Sequence, residues 1–111
     1  MLCMKTAYEA VELKRTEIDV LEGPVLIEFG APWCGYCRIA QPLIDTALSA
    51  HPSIRHIRIE DGQGRRLGRS FRVKLWPTLI FLRSGKEIER LVRPANSGVI
   101  NEALDKLINA S

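Results

Sequence analysis

Cysteine is scarce in this chain, with three in 111 residues, and an odd number cannot all pair within one copy. A disulfide-stapled scaffold is therefore excluded. Histidine is scarcer still, with two. A structural zinc on Cys34 and Cys37 would have to draw on Cys3, His51 and His56, which hold no second pair at ligand spacing, so no metal is expected. Cys3, near the start of the chain, reads as an uninvolved thiol. Long apolar runs are missing too, which excludes a membrane-spanning helix. Met1 to Lys5 leaves no room for the apolar region of a secretory leader, so a cytoplasmic protein with no membrane partner is expected. Neither Gly62 nor Gly64 is followed by Gly-Lys-Ser or Gly-Lys-Thr, and Asp61-Gly62-Gln63-Gly64 reads as a turn rather than a phosphate-binding loop.

What remains is ordinary globular material, 46% apolar and 26% charged, enough for one core and one domain over residues 1–111. The net charge is +3, and eleven of the sixteen basic residues are arginine. Five basic residues crowd Arg65, Arg66, Arg69, Arg72 and Lys74. Such a cluster on one short helix reads as a solvated face, and nucleic acid is not an expected partner.

The chemistry is concentrated in Trp33-Cys34-Gly35-Tyr36-Cys37, which stands between a strand and a helix. A thiol in the first turn of a helix meets unpaired amides and the positive end of the macrodipole, both of which favour thiolate. Cys34 is thus the expected nucleophile. The amide of Tyr36, in the same turn, is a candidate donor to its sulfur.

Before this junction, Ala7 to Leu13 alternates as a short strand, and Thr16 with Asp19 reads as the cap of a short helix that stops at Gly23-Pro24. Val25-Leu26-Ile27-Glu28-Phe29 is a doubly buried strand with one carboxylate in it. Glu28 must be protonated or paired, because an isolated buried anion costs several kcal/mol. After the junction, Ile39, Ala40, Leu43, Ile44, Ala47 and Leu48 mark an apolar helix stripe, running through Pro42 to about Ala50. Ile54 to Ile59 reads as a crossover strand with Ile57 and Ile59 on one face and His56 and Arg58 on the other. Arg65 to Phe71 is a short helix with Leu67 and Phe71 inward. Thr78 to Leu82 and Glu87 to Arg93 form a hairpin about Ser84-Gly85, with Ile88 and Val92 sharing a face of the outer strand. Asn96 or Ser97 caps a last helix with its stripe on Val99, Ile100, Ala103, Leu104, Leu107 and Ile108.

Taken together, this order of elements resembles the thioredoxin family over nearly the whole chain. The match rests on Phe29, Ala31, Trp33, Cys34, Gly35 and Cys37, on Pro42, on Pro77-Thr78 before the hairpin, on Gly85 in its turn and on Gly98 in the last helix. The resemblance implies an α/β thioredoxin fold, with a central mixed sheet of five strands, or four, flanked by about four helices. It implies a cis Pro77 opposite the dithiol as the docking point for an extended substrate segment, bordered by Trp33, Gly35, Tyr36, Trp76, Thr78 and Arg93.

By the same match, Glu28 stands where the family commonly has a buried aspartate, and it is expected to accept the Cys37 proton. On that view Glu28→Gln should leave stability unchanged or raised. His56 either pairs with Glu28 or faces solvent. Three departures touch the active face: Tyr36 for proline, Gly30 for an aromatic residue, and Arg93 for glycine.

The function implied is protein disulfide oxidoreductase, an electron carrier in redox homeostasis with Cys34 and Cys37 as its redox-active disulfide. It would reduce protein disulfides without a bound cofactor, as a monomer resupplied by a donor such as a flavin-dependent reductase. Cys-Gly-Tyr-Cys is also similar to the motif of certain periplasmic isomerases, so an oxidase or isomerase outside the cytoplasm is one alternative. A thioredoxin-fold module binding an acidic partner through the Arg65 to Lys74 stretch is another.

Overall fold

The computed structural model describes residues 7–110; Cys3 lies outside them. Four strands form one mixed sheet in the order β2-β1-β3-β4. These are β1 (Pro24–Gly30), β2 (Arg55–Glu60), β3 (Thr78–Arg83) and β4 (Lys86–Val92). The helices are α1 (Arg15–Asp19), α2 (Gly35–Ser49), α3 (Arg66–Ser70) and α4 (Ser97–Asn109). β1 and β2 run parallel, as a helical crossover requires, while β3 is antiparallel to both β1 and β4.

Alternation along β1 sorts its side chains between two cores. Val25, Ile27 and Phe29 pack with Ile18, Leu67 and Phe71 on the side of α1 and α3. Leu26 packs with Ala40, Ile44, Ile100 and Leu104 on the side of α2 and α4. Glu28 and Gly30, an even number of residues further on, share the face of Leu26 and lie under α2. Burial of the fully enclosed Leu26 and Phe29 side chains contributes about 1.5–3 kcal/mol each.

Several expectations are corrected. The segment from Ala7 to Leu13 is not a fifth strand. Only Tyr8 pairs, in an isolated parallel bridge to Arg58, and with Val11 75% exposed the segment has no apolar face to hold it on the sheet. Thr16 does not cap α1; Lys14 does, its amide donating to the Glu17 carboxylate at 2.9 Å. Ile39 points outward, 70% exposed, while Ala40 and Gln41 beside it are buried. On β4 the register shifts opposite Phe81 and Leu82. Past this irregularity the alternation changes phase, so Ile88 and Leu91 pack on the core while Val92 is exposed. Asn96 caps α4 as expected, accepting from the Val99 amide at 2.9 Å.

Candidate active site

The dithiol sits where β1 hands over to α2. Cys34 is the N-cap of α2, and its sulfur accepts from the Cys37 amide at 3.2 Å. An N-cap side chain meets the N–H of the second or third helical residue, and here it is the third, Cys37, whose amide reaches the sulfur, not the second, Tyr36. Both cysteines are free thiols. Cys34 is partly exposed, whereas Cys37 is 2% exposed. Burial pushes the Cys37 thiol up to about 12, and its hydrogen bond with Cys34 adds to the shift.

Around Cys34 the substrate-facing candidates converge. Trp33, Gly35 and Tyr36 are exposed, and Trp33 meets Trp76 edge-on with ring centroids 6.2 Å apart. The Trp76–Pro77 peptide bond is cis. Arg93 ties the end of β4 to this turn: its amide donates to the Pro77 carbonyl at 3.0 Å and its Nε to the Trp76 carbonyl at 2.8 Å. Its guanidinium lies 3.7 Å over the Tyr36 ring, a cation–π contact between two of the three positions that depart from the family pattern. Arg93 holds φ at +50°, the left-handed conformation for which glycine is the usual residue. Thr78 does not join this surface. It is 1% exposed, and its hydroxyl donates to the Leu75 carbonyl at 2.6 Å, so it braces the turn before Pro77.

Glu28 is fully buried and paired twice. His56 Nε2 lies 2.9 Å from its Oε1 and Arg58 Nε donates to its Oε2 at 3.3 Å. Of the two readings of His56, pairing is the one observed. The register of β1 on β2 explains both contacts, placing Leu26 opposite His56 and Glu28 opposite Arg58 on the face that α2 covers. Arg58 becomes legible as a neighbour of Glu28 only once that register is known. His51, the other histidine, is at the far end of α2, with its Nε2 2.9 Å from the Asp105 carboxylate.

Two further residues have no motif to announce them. Asp61, at the end of β2, is buried and accepts from Trp76 Nε1 at 2.9 Å, fixing the indole beside the dithiol. Arg65 and Arg69 of the basic stretch border the same carboxylate in a shallow cleft. Gly68 is required there, since a Cβ on it would run into both carboxylate oxygens of Asp61. Gly68→Ala is accordingly expected to push Asp61 off Trp76 and cost about 1–3 kcal/mol, the range for a buried acceptor forced from its donor. Urea unfolding with indole fluorescence checks it, and an unchanged midpoint and spectrum would contradict it. Tyr8 is the second such residue, with the Arg58 guanidinium 4.0 Å over its ring.

This geometry agrees with what comparison with known proteins shows. The family model described as Thioredoxin matches residues 8–106. A thioredoxin from Porphyra purpurea is 28% identical over 87 residues, covering 78% of this chain and 81% of that protein. One from Chlamydia trachomatis serovar D is 33% identical over 74 residues, covering 67% and 72%. Among solved structures, thioredoxin 2 from Pseudomonas aeruginosa PAO1 in its reduced form superposes with a TM-score of 0.85 at 53% identity, over 95% of this chain and 97% of that one.

Proposed function

The chain belongs to the thioredoxin family, and on that premise we propose that it is a thiol-disulfide oxidoreductase working as a reductase of protein disulfides. The observation that carries this reading is the asymmetry of the two sulfurs. Cys34 is accessible and bonded by a helix amide, as an attacking sulfur needs, and Cys37 is buried directly behind it with its proton held. Cys34 attacks one sulfur of the substrate disulfide, displacing the other as a thiolate. Cys37 then attacks Cys34 and releases the second substrate sulfur. Two electrons pass to the substrate and the dithiol becomes a disulfide, with no bound cofactor in the exchange.

Trp33, Gly35, Tyr36, Trp76, Pro77 and Arg93 form the docking surface for the substrate segment. The exposed Arg93 side chain occupies the Trp76 carbonyl, and an amide of an extended substrate can take its place. Glu28 acts in the resolving step as part of a cluster with His56 and Arg58 and not as a lone carboxylate, since each of its oxygens is already engaged, one by His56 and the other by Arg58. A monomer in a reducing compartment such as the cytoplasm, resupplied by a flavin-dependent reductase or another dithiol protein, suits this direction of electron flow. No helix among the described residues is long and apolar enough to cross a membrane. The oxidase or isomerase alternative and the acid-binding module are not favoured by the relatives.

Equilibration with glutathione tests the direction. A potential of about −270 mV, the value characteristic of thioredoxin itself, is the expected result, and one near about −120 mV, as for a strong oxidant, would overturn the reductase reading.

A further inference from the structure

Arg93 holds a backbone conformation, φ +50°, that is unfavourable for any residue with a side chain, and it does so at the rim of the dithiol. A glycine would relieve the strain. What the arginine adds is a guanidinium kept in one place, its Nε donating to the Trp76 carbonyl at 2.8 Å and its Cζ 3.7 Å over the Tyr36 ring. Neither contact neutralises the charge, and no carboxylate among the described residues pairs with it.

The surroundings share its sign. The three segments that carry the site, residues 31–38, 74–78 and 91–95, contain Arg38, Lys74 and Arg93 and not one aspartate or glutamate. All three cations are exposed, and none is ion-paired among the described residues. The carboxylates that do belong to the site, Glu28 and Asp61, are buried and bonded to His56, Arg58 and Trp76. A surface of one sign without an internal counter-charge attracts the opposite charge from a partner, and a guanidinium offers it a planar fork that fits a carboxylate.

We propose that Arg93 selects protein disulfides whose docking segment carries an aspartate or glutamate beside the cysteine that Cys34 attacks. The proposal rests on the reductase reading above and names its substrate class. An extended segment laid along Pro77 takes the Trp76 carbonyl from Arg93 Nε, which is the only side-chain hydrogen bond of Arg93 among the described residues. A neutral segment leaves the displaced guanidinium unpaired. A carboxylate on the segment instead accepts two charge-assisted bonds from it, one to each oxygen. The Tyr36 ring meanwhile keeps the cation at the groove rather than out in solvent. An acidic neighbour thus offsets the displacement, and a lysine in the same place adds repulsion to it. No bond changes beyond the two-sulfur exchange, so the selection lies in docking and not in the reactivity of the sulfurs.

Three disulfide-linked peptides that differ only in having Glu, Gln or Lys beside the reacting cysteine test it. Each is mixed with reduced protein, quenched with acid at set times, and the released peptide is followed by mass spectrometry to give a second-order rate constant. At low salt the Glu peptide should react about five-fold faster than the Gln peptide, the upper range for an exposed ion pair, and the Lys peptide more slowly than either. The spread should shrink in about 1 M salt, where the screening length falls to about 3 Å. In Arg93→Gly, which removes the fork and relieves the backbone, the ratio of Glu to Gln rates should fall to about one. Equal rates on the Glu and Gln peptides in the wild type would overturn the proposal, and so would a preference that Arg93→Gly retains, which would place the selection on another cation. A protein that reduces neither these peptides nor the small uncharged disulfide of 2-mercaptoethanol would overturn the reductase reading, and this proposal with it.

Discussion

Replacing Cys37 with serine is expected to leave the protein covalently bound to its substrate. The variant keeps the accessible Cys34 sulfur, so the first attack proceeds, but a serine hydroxyl does not displace the substrate thiol. The mixed disulfide that persists should be seen by mass spectrometry without reductant as the mass of the protein plus one substrate chain, attached at Cys34. Turnover should fall by a factor of about 10³ or more, since an external thiol must replace a sulfur held against its target, and such placement is worth effective molarities of about 10⁵ M or higher. Reductant should release the substrate. An adduct at any other position, or steady turnover without Cys37, would contradict the assignment of roles to the two sulfurs.

Glu28→Gln is expected to destabilise the protein by about 3 kcal/mol, the lower end of the cost of breaking a buried ion pair. The reason lies in the partners left behind. Arg58 and His56 have side chains only 13% and 9% exposed, and both are bonded to the carboxylate that the change neutralises. An amide of the same shape offers one acceptor oxygen in place of two. Urea unfolding at neutral pH measures the loss, and an unchanged midpoint would show that the cluster carries no net stability.

The sequence alone leads to the opposite expectation for this variant, and the difference shows where sequence reasoning stops. The anomaly of a carboxylate in the middle of a buried strand is legible, and so is the need for a partner. Which partner is not legible, because it depends on the register between β1 and β2, set by packing over the whole sheet. The alternation of His56 and Arg58 with Ile57 and Ile59 is correct, but it does not reveal that α2 covers the polar face. The same limit applies to Val92, exposed because an irregularity in β4 changes the phase of its side chains. It applies to Asp61, whose bond to Trp76 joins residues 15 apart with no motif between them.

What is legible is what local chemistry determines. Cys34 at the start of a helix, Pro77 before the hairpin and Asn96 as a cap are each specified by their immediate neighbours. The two uncommon residues Tyr36 and Arg93 stand out individually, yet their contact with each other emerges only in three dimensions. Tyr8 gives no signal at all. It lies in a segment whose weak alternation suggests a strand, and the close approach of its hydroxyl to Gly30 beside Cys37 is visible only once the chain has folded.

One exposed sulfur attacks while a buried, protonated one waits, and alkylation of the reduced protein separates the two. Limiting iodoacetamide at pH 7, followed by peptide mapping, should label Cys34 first and leave Cys37 unmodified, because Cys37 is enclosed and its thiol holds its proton to about pH 12. Faster labelling of Cys37 or of Cys3 than of Cys34 would contradict this division of roles between the sulfurs.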